Sequence, residues 1–344
     1  MTDDSYRPFD RRTFLKTTTA AAASTLAVGS ASATPGKGSD VRTVKADYER
    51  GISTSDIERV RRAARQEYNA RGGDLDDVPA RSTPEAEDGT IVSYAYKIDA
   101  NGIPHQYTGI AGDADSVAKL HGKADKRADT LGGDATTSSD DVSTQAASWN
   151  TILHDEADFC SDPYGCVTNN FDLLQLQDDG DYAQDAYSMH QFFVMEPGVQ
   201  KYNSNWANEY GYPMHDWRQN NMGGEDLDTY DPLGTLDGSQ TVNVSVGTGG
   251  VSLGWQYTQP AVTTIDNSSP SSNYAKWSEE FNTTDAQENT NGMQPGSTTW
   301  IDEQSSGSGY YDLMDLISEG QFYDTGWGTG RHTLKHTFHV DVYY

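Results

Sequence analysis

Between residues 242 and 257 apolar and polar side chains alternate with a period of two. Val242, Val244 and Val246 share one face, the turn-forming run Gly247-Thr248-Gly249-Gly250 follows, and Val251, Leu253, Trp255 and Tyr257 resume the pattern. A period of two fits a strand and no helix, so this stretch predicts an antiparallel hairpin with one buried face. The C-terminal run repeats the pattern. His332, Leu334, His336, Phe338, Val340 and Val342 fall on one face, and Thr333, Lys335, Thr337, His339 and Asp341 on the other, which predicts a terminal strand. Residues 171–177 and 182–195 form another apolar pair divided by Asp178-Asp179-Gly180-Asp181. With many Gly, Asn, Asp and Ser turns and little helical periodicity, the expected class is mainly β, with an antiparallel β-sandwich over residues 149–344.

Residues 34–130 read differently, as a small α+β domain. Ser55 three residues before Glu58 is a capping box, and Ile57, Val60, Ala64 and Tyr68 recur at helical steps until Gly72-Gly73 stops the helix. Arg59, Arg62 and Arg65 lie on its other face. Val92, Tyr94, Tyr96 and Ile98 then alternate before an Asn101-Gly102 turn and a return strand over 103–110, and a second helix is expected from about Asp113 through Val117 and Leu120. Residues 131–148, rich in Thr, Ser and Asp, read as a polar linker. Two independent modules on a tether are the default expectation, and the alternative is that residues 44–130 dock on the downstream domain, through the arginine face and apolar contact from Ile57 and Val60, to assist its folding or mask its binding face.

Charge separates the two parts. Residues 34–130 carry 15 basic and 17 acidic side chains, whereas 131–344 carry 5 and 32. The whole chain has 52 acids, 38 of them Asp, against 24 bases. Such an excess repels itself in dilute buffer, but in molar salt the screening length falls to about 3 Å and the carboxylates keep the surface hydrated. This balance argues against nucleic acid or anionic lipid as a partner, since both need cationic groups to displace counterions. The composition expected is that of a salt-adapted, halophilic protein.

Asp10-Arg11-Arg12-Thr13-Phe14-Leu15-Lys16 resembles the twin-arginine (Tat) export signal, in which paired arginines precede an apolar residue, Leu and Lys. Arg11, Arg12, Phe14, Leu15 and Lys16 carry the match. A weakly apolar run follows, and Ala31-Ser32-Ala33 offers the small-residue pattern of a cleavage site, so residues 1–33 are read as a signal peptide. The resemblance implies the Tat machinery as a partner, a secreted or cell-surface location, and a source among halophilic archaea. No integral membrane segment is expected after cleavage. Outside the cell Cys160 and Cys166, divided by Ser-Asp-Pro-Tyr-Gly, are expected to form a disulfide.

Several constellations carry residue types suited to chemistry. Gly250-Val251-Ser252-Leu253-Gly254 spells G-x-S-x-G, but a nucleophile elbow needs a strand-turn-helix and Ser252 sits inside a strand, facing solvent. Asp178, Asp179, Asp181 and Asp185, like the cluster at 154–158, offer hard oxygen ligands suited to calcium or magnesium, but without EF-hand order, and solvated acids are the favoured reading of both. His332 and His336 share a strand face about 13 Å apart, and a hydrogen-bonded place in the β core fits them better than one shared metal. His154, Asp155, Glu156 and Asp158 read as solvated acids of a salt-adapted surface. Trp206, Tyr210, Tyr212, His215 and Trp217 lie among Asn, Asp and Gly, a mixture suited to stacking on a ligand or to filling gaps from a long loop. Asn243, Asn267 and Asn282 head glycosylation sequons. The functional expectation is a secreted, non-enzymatic binding or structural protein. A metal-assisted or carboxylate hydrolase is one alternative, and a secreted antimicrobial or toxin protein with an N-terminal pro-region is another.

Overall fold

A computed structural model describes residues 34–35, 41–131, 149–177, 183–219, 221–304, 308–326 and 329–344. The signal residues Arg11, Arg12, Phe14, Leu15 and Lys16, the stretch 132–148 of the expected linker, and Asp178, Asp179 and Asp181 lie outside them.

The expected alternation is realised in two large sheets. The first runs, in spatial order, through β1 (Thr34–Pro35), β2 (Arg42–Lys45), β4 (Thr90–Ile98), β5 (Pro104–Ala111), β6 (Trp149–Ser161), β7 (Gly165–Leu176), β8 (Gln184–Pro197), β17 (Gly296–Asp302) and β10 (Asp226–Asp231), with β16 (Asn291–Met293) also on β8. The second runs through β11 (Thr235–Asp237), β14 (Thr263–Asp266), β15 (Tyr274–Glu280), β9 (Trp206–Asp216), β18 (Tyr310–Asp324), β19 (Arg331–Tyr343) and β3 (Ala80–Glu87). A third sheet has two strands, β12 (Gln240–Thr248) and β13 (Val251–Gln259). The protein is therefore mainly β and sandwich-like, as the alternation predicts. The helices are α1 (Thr54–Ala70), α2 (Val117–Thr130), α3 (Gly198–Lys201) and α4 (Thr284–Glu288).

The main core lies between the two large sheets. Phe171 of β7 meets Phe338 of β19 edge to face at 5.2 Å, and Phe159, Phe193, Phe322 and Leu334 are buried with them. The backbones approach closely where β18 carries Gly320, since a Cβ there would stand 2.5 Å from Val167. On β19 the predicted inward face is seen: Leu334, His336, Phe338, Val340 and Val342 are all buried. The Cys160–Cys166 disulfide joins directly opposed residues of β6 and β7, with Cα atoms 4.2 Å apart. It packs against Val92, Ala111 and Leu120.

The boundary expected between residues 34–130 and 149–344 does not separate the sheets. β5 pairs in parallel with β6 from His105↔His154 to Ala111↔Cys160, and β3 pairs with β19 from Ala80↔Val342 to Lys335↔Glu87. A segment with so little apolar surface of its own completes its burial by joining existing ladders. The α1 cap also differs from expectation. Ser53, not Ser55, is the N-cap, and Asp56, not Glu58, closes the capping box, while Ile57, Val60 and Ala64 are buried as the spacing predicts. Arg61, outside the predicted arginine face, makes the inward contacts: its guanidinium donates to Tyr94 Oη at 3.0 Å and to the Ser82 carbonyl of β3 at 2.5 Å.

Candidate functional site

The hairpin β12–β13 is the part of the molecule least accounted for by the sandwich. Among the described residues it shares no backbone ladder with either large sheet. Thr248↔Val251 closes it, leaving Gly249-Gly250 as a two-residue loop with φ of +60° and +81°. Both values lie in the left-handed region that glycine adopts without strain, as a type I′ turn demands. Val242, Val244, Val246, Leu253, Trp255 and Tyr257 are buried against the sandwich, and Thr241, Asn243, Ser245, Ser252, Gln256 and Thr258 face solvent. Ser252 is thus a solvent-facing strand residue, as its place in the alternation predicts.

Polar contacts hold this hairpin along its length: at its base the buried Gln259 amide donates to the carbonyls of Leu236, Gly238 and Val262 at 3.0–3.1 Å, and Thr229 Oγ1 donates to the Gly247 carbonyl at 3.0 Å. Thr229 Oγ1 accepts from the Gly247 N–H at 2.8 Å, Asp231 accepts from the Ser245 N–H at 2.7 Å, and the Trp255 indole N–H donates to the Gln294 carbonyl at 2.9 Å. Below Trp255 the first sheet presents Gly296, where a Cβ would stand 2.3 Å from the indole, so only glycine admits the ring there. The His190 ring lies 4.1 Å from that indole. It ends a row of registered residues, His105↔His154↔Asp172↔His190, in which His154 Nδ1 and Asp172 Oδ1 are 2.6 Å apart. Burial lowers the His190 pKa despite the pull of Asp172.

Two buried polar groups also stand out, Tyr257 of β13 and Glu279 of β15. Glu279 is 0% exposed, and neither of its carboxyl oxygens has a hydrogen-bond partner; the Tyr257 hydroxyl is buried and also without one. Burial alone pushes Glu279 up to about 8. The sequence offered no means of singling out this carboxyl among 52 acids. A signal for the hairpin itself was present: residues 238–265, 28 in a row, contain no Asp, Glu, Lys, Arg or His.

The residues singled out from sequence are scattered. Trp206, Tyr210, Tyr212 and His215 lie on strand β9, not in a long loop, and Trp217 follows it. His215 and Trp217 are fully buried, both bonded to Ser297 Oγ, at 2.7 and 3.0 Å. Tyr210 and Tyr212 are half-buried; the Tyr212 hydroxyl donates to Glu319 at 2.9 Å and Lys276 Nζ lies 3.6 Å from its ring centre. Trp206 meets Tyr164 edge to face at 4.6 Å. Strand alternation accordingly divides the five between core and surface.

His332 stacks on Tyr164 at 3.6 Å, whereas His336 is buried beside Phe159 and Phe338 with neither ring nitrogen hydrogen-bonded. The expected hydrogen bonds of His336 are absent because its neighbours are rings, and burial lowers its pKa to about 4. Asp185 accepts from the Tyr344 hydroxyl at 2.5 Å. Among the described residues no group of three or more His, Cys, Asp and Glu is placed to hold a metal ion. The acids at 155–158 are not solvated as expected. Asp155 is 0% exposed and bonded to Ser82 and Gln106, burial pushing it up to about 7, while Glu156 and Asp158 pair with Arg127 and Lys123 of α2. Asn243, Asn267 and Asn282 are exposed.

No known protein family matches the chain, and no curated protein does. Among solved structures it is similar to one titled "Pore forming protein", at 10% identity and a TM-score of 0.30, over 57% of this chain and 88% of that one. It is similar also to the Clostridium perfringens NetB toxin in the membrane inserted form, at 9% identity and 0.31, over 57% and 99%. Neither likeness reaches a level that assigns a fold or an activity to this chain.

Proposed function

We propose that this chain is a secreted, salt-adapted protein that acts on lipid membranes, and that β12–β13 is the element that enters them. The observation that carries the reading is the hairpin's freedom from charge. The chain holds 76 charged residues in 344, so a run of 28 would carry about six at that density, and residues 238–265 carry none. Each charge at the lipid face of a spanning strand costs about 2–4 kcal/mol at mid-membrane, so a strand that spans must lack them there. The strands have nine residues each, the length that crosses a hydrocarbon core at a tilt, and they alternate apolar with polar side chains. No helix among the described residues is long and apolar enough to cross a membrane, so entry falls to strands. In the folded chain the apolar face is covered by the sandwich, which keeps the protein dispersed until a membrane offers an alternative cover.

Export is read from Arg11-Arg12. Replacing both by Lys should hold the precursor in the cytoplasm, and normal secretion of that variant would refute the route. The membrane reading is tested with Val244→Cys and Asn243→Cys, neighbours on opposite faces, each labelled with an environment-sensitive dye; the native cysteines are paired and do not compete. With vesicles in molar salt, the position-244 dye should be quenched by lipid-borne quenchers and the position-243 dye should not, with release of trapped solute. Folded protein that leaves both dyes unquenched and the vesicles sealed would overturn the reading.

A further inference from the structure

The geometry points to a binding site for one phosphate group in the cavity between α1 and the start of β3, held by Arg61, Arg62, Arg65 and Arg81. None of the residues lining it belongs to the β12–β13 hairpin, and the site does not rest on the membrane reading.

Helical spacing brings three of the four arginines together. Glu58, Arg61, Arg62 and Arg65 stand at i, i+3, i+4 and i+7 along α1, so they share one side of the helix. Asp77, Val78, Arg81 of β3 and Tyr310 of β18 line the cavity with them, as does Tyr96 of β4, and its volume is about 120 Å³. A pocket for a drug-sized molecule takes roughly 300–1,000 Å³, so what fits here is one small group. Four of the chain's 14 arginines meet at this place, in a protein of formal net charge −28. In molar salt the screening length of about 3 Å removes the repulsion from acids elsewhere, and the local lining decides what binds.

The arginines are held in place without their donors being used up. Arg61 donates to Glu58 at 2.8 Å in addition to Tyr94 and Ser82. Arg65 spends one terminal nitrogen on both the Asp76 carbonyl, at 2.8 Å, and the Asp77 carboxylate, at 2.6 Å. Arg81 is bonded through Nε, to Asp341 at 2.8 Å, and its guanidinium lies 3.9 Å from the centre of the Tyr310 ring. The Tyr310 hydroxyl in turn donates to Asp77 at 2.6 Å, which ties the lining together. Arg62 is exposed and has no hydrogen bond or ion pair among the described residues. Three carboxylates, Glu58, Asp77 and Asp341, therefore answer four guanidiniums, and the N–H groups left over on Arg62, Arg65 and Arg81 come from two different elements. A tetrahedral phosphate accepts from several directions at once. A guanidinium fork also bonds two of its oxygens in parallel, an advantage that monatomic chloride lacks. Inorganic phosphate and the headgroup phosphate of a lipid share this chemistry.

Equilibrium dialysis of the full chain against radiolabelled inorganic phosphate in molar KCl should show saturable uptake at one site. Arg62→Gln removes an exposed guanidinium that has no partner among the described residues, so it costs the fold no contact, and it should weaken uptake about tenfold, the worth of one charge-assisted hydrogen bond. Arg81→Gln should do the same; where it does not fold, Arg62→Gln carries the comparison alone. Arg59→Gln, outside the lining, should bind phosphate like the parent chain. Vesicles distinguish the sources. Phosphatidic acid in a neutral, phosphate-free lipid competes with the labelled phosphate if a headgroup enters the site, and leaves uptake unchanged if free phosphate alone fits; either result keeps the site. No saturable uptake by the parent chain, or uptake that Arg62→Gln and Arg81→Gln leave unaltered, overturns it.

Discussion

Arg61 stands one position from the Arg59, Arg62 and Arg65 series that helical spacing puts on the outer face of α1. It is the arginine that is buried, at 7% exposure, joining α1 to β3 and β4 through Ser82 and Tyr94. A helical wheel puts Arg61 beside Ile57 and Ala64 on the apolar face, away from Arg59 and Arg62, but it does not say which carbonyl and phenol the guanidinium will meet. The same holds for Glu279, Asp155 and His336, each buried by partners remote in sequence. A charge whose role is legible from its contacts is His339, on the solvent-facing side of β19. Hydrogen bonding to Asp315, with Glu85 beyond it, pushes His339 up to about 9 against burial. Its folded value exceeds the free 6.5, so its stabilisation is full below 6.5 and disappears as pH rises through 9. Melting His339→Gln beside the parent chain should therefore give a lower Tm at pH 6 and the same Tm at pH 10; an equal gap at both would contradict the assignment.

At the scale of elements, prediction and structure agree where one buried face dictates register. β12, β13 and β19 carry their apolar residues inward without exception to the expected period, because a slip by one residue would expose every one of them. Agreement fails where an element's end depends on side chains competing for the same N–H, as at the α1 cap. The β6–β7 hairpin invites its own test. Its disulfide closes a short loop between opposed residues that are also packed on Leu120. Removing it with Cys160→Ala and Cys166→Ala should lower stability by about 2 kcal/mol, read from denaturant midpoints at unchanged slope. A midpoint equal to the parent's would mean that strand pairing alone already holds this loop closed.

For the whole molecule, charge and topology pull on the same question. The full chain carries a formal net charge of −28, and if that charge must be screened the protein should lose its β circular dichroism as salt falls from molar to about 0.1 M, where the screening length reaches about 10 Å. An unchanged spectrum over that range would remove the case for salt adaptation. Topology adds that residues 34–130 contribute β1, β2, β3, β4 and β5 to the two sheets, so the pro-region reading would require cleavage to strip paired strands from both. The sequence alone determined what depends on neighbours along the chain: strands where apolar residues recur every second position, tight turns at paired glycines, the local disulfide, and a strong excess of acidic side chains. Only the tertiary structure decided that the upstream segment is woven into the sandwich, that β12–β13 lies on it as a separate sheet, and that Glu279 is buried without a hydrogen-bond partner. The reason is physical. Periodicity states which face of a strand must be covered, but the covering partner is chosen by contacts between residues far apart in the chain, and those contacts also decide which polar groups lose their water.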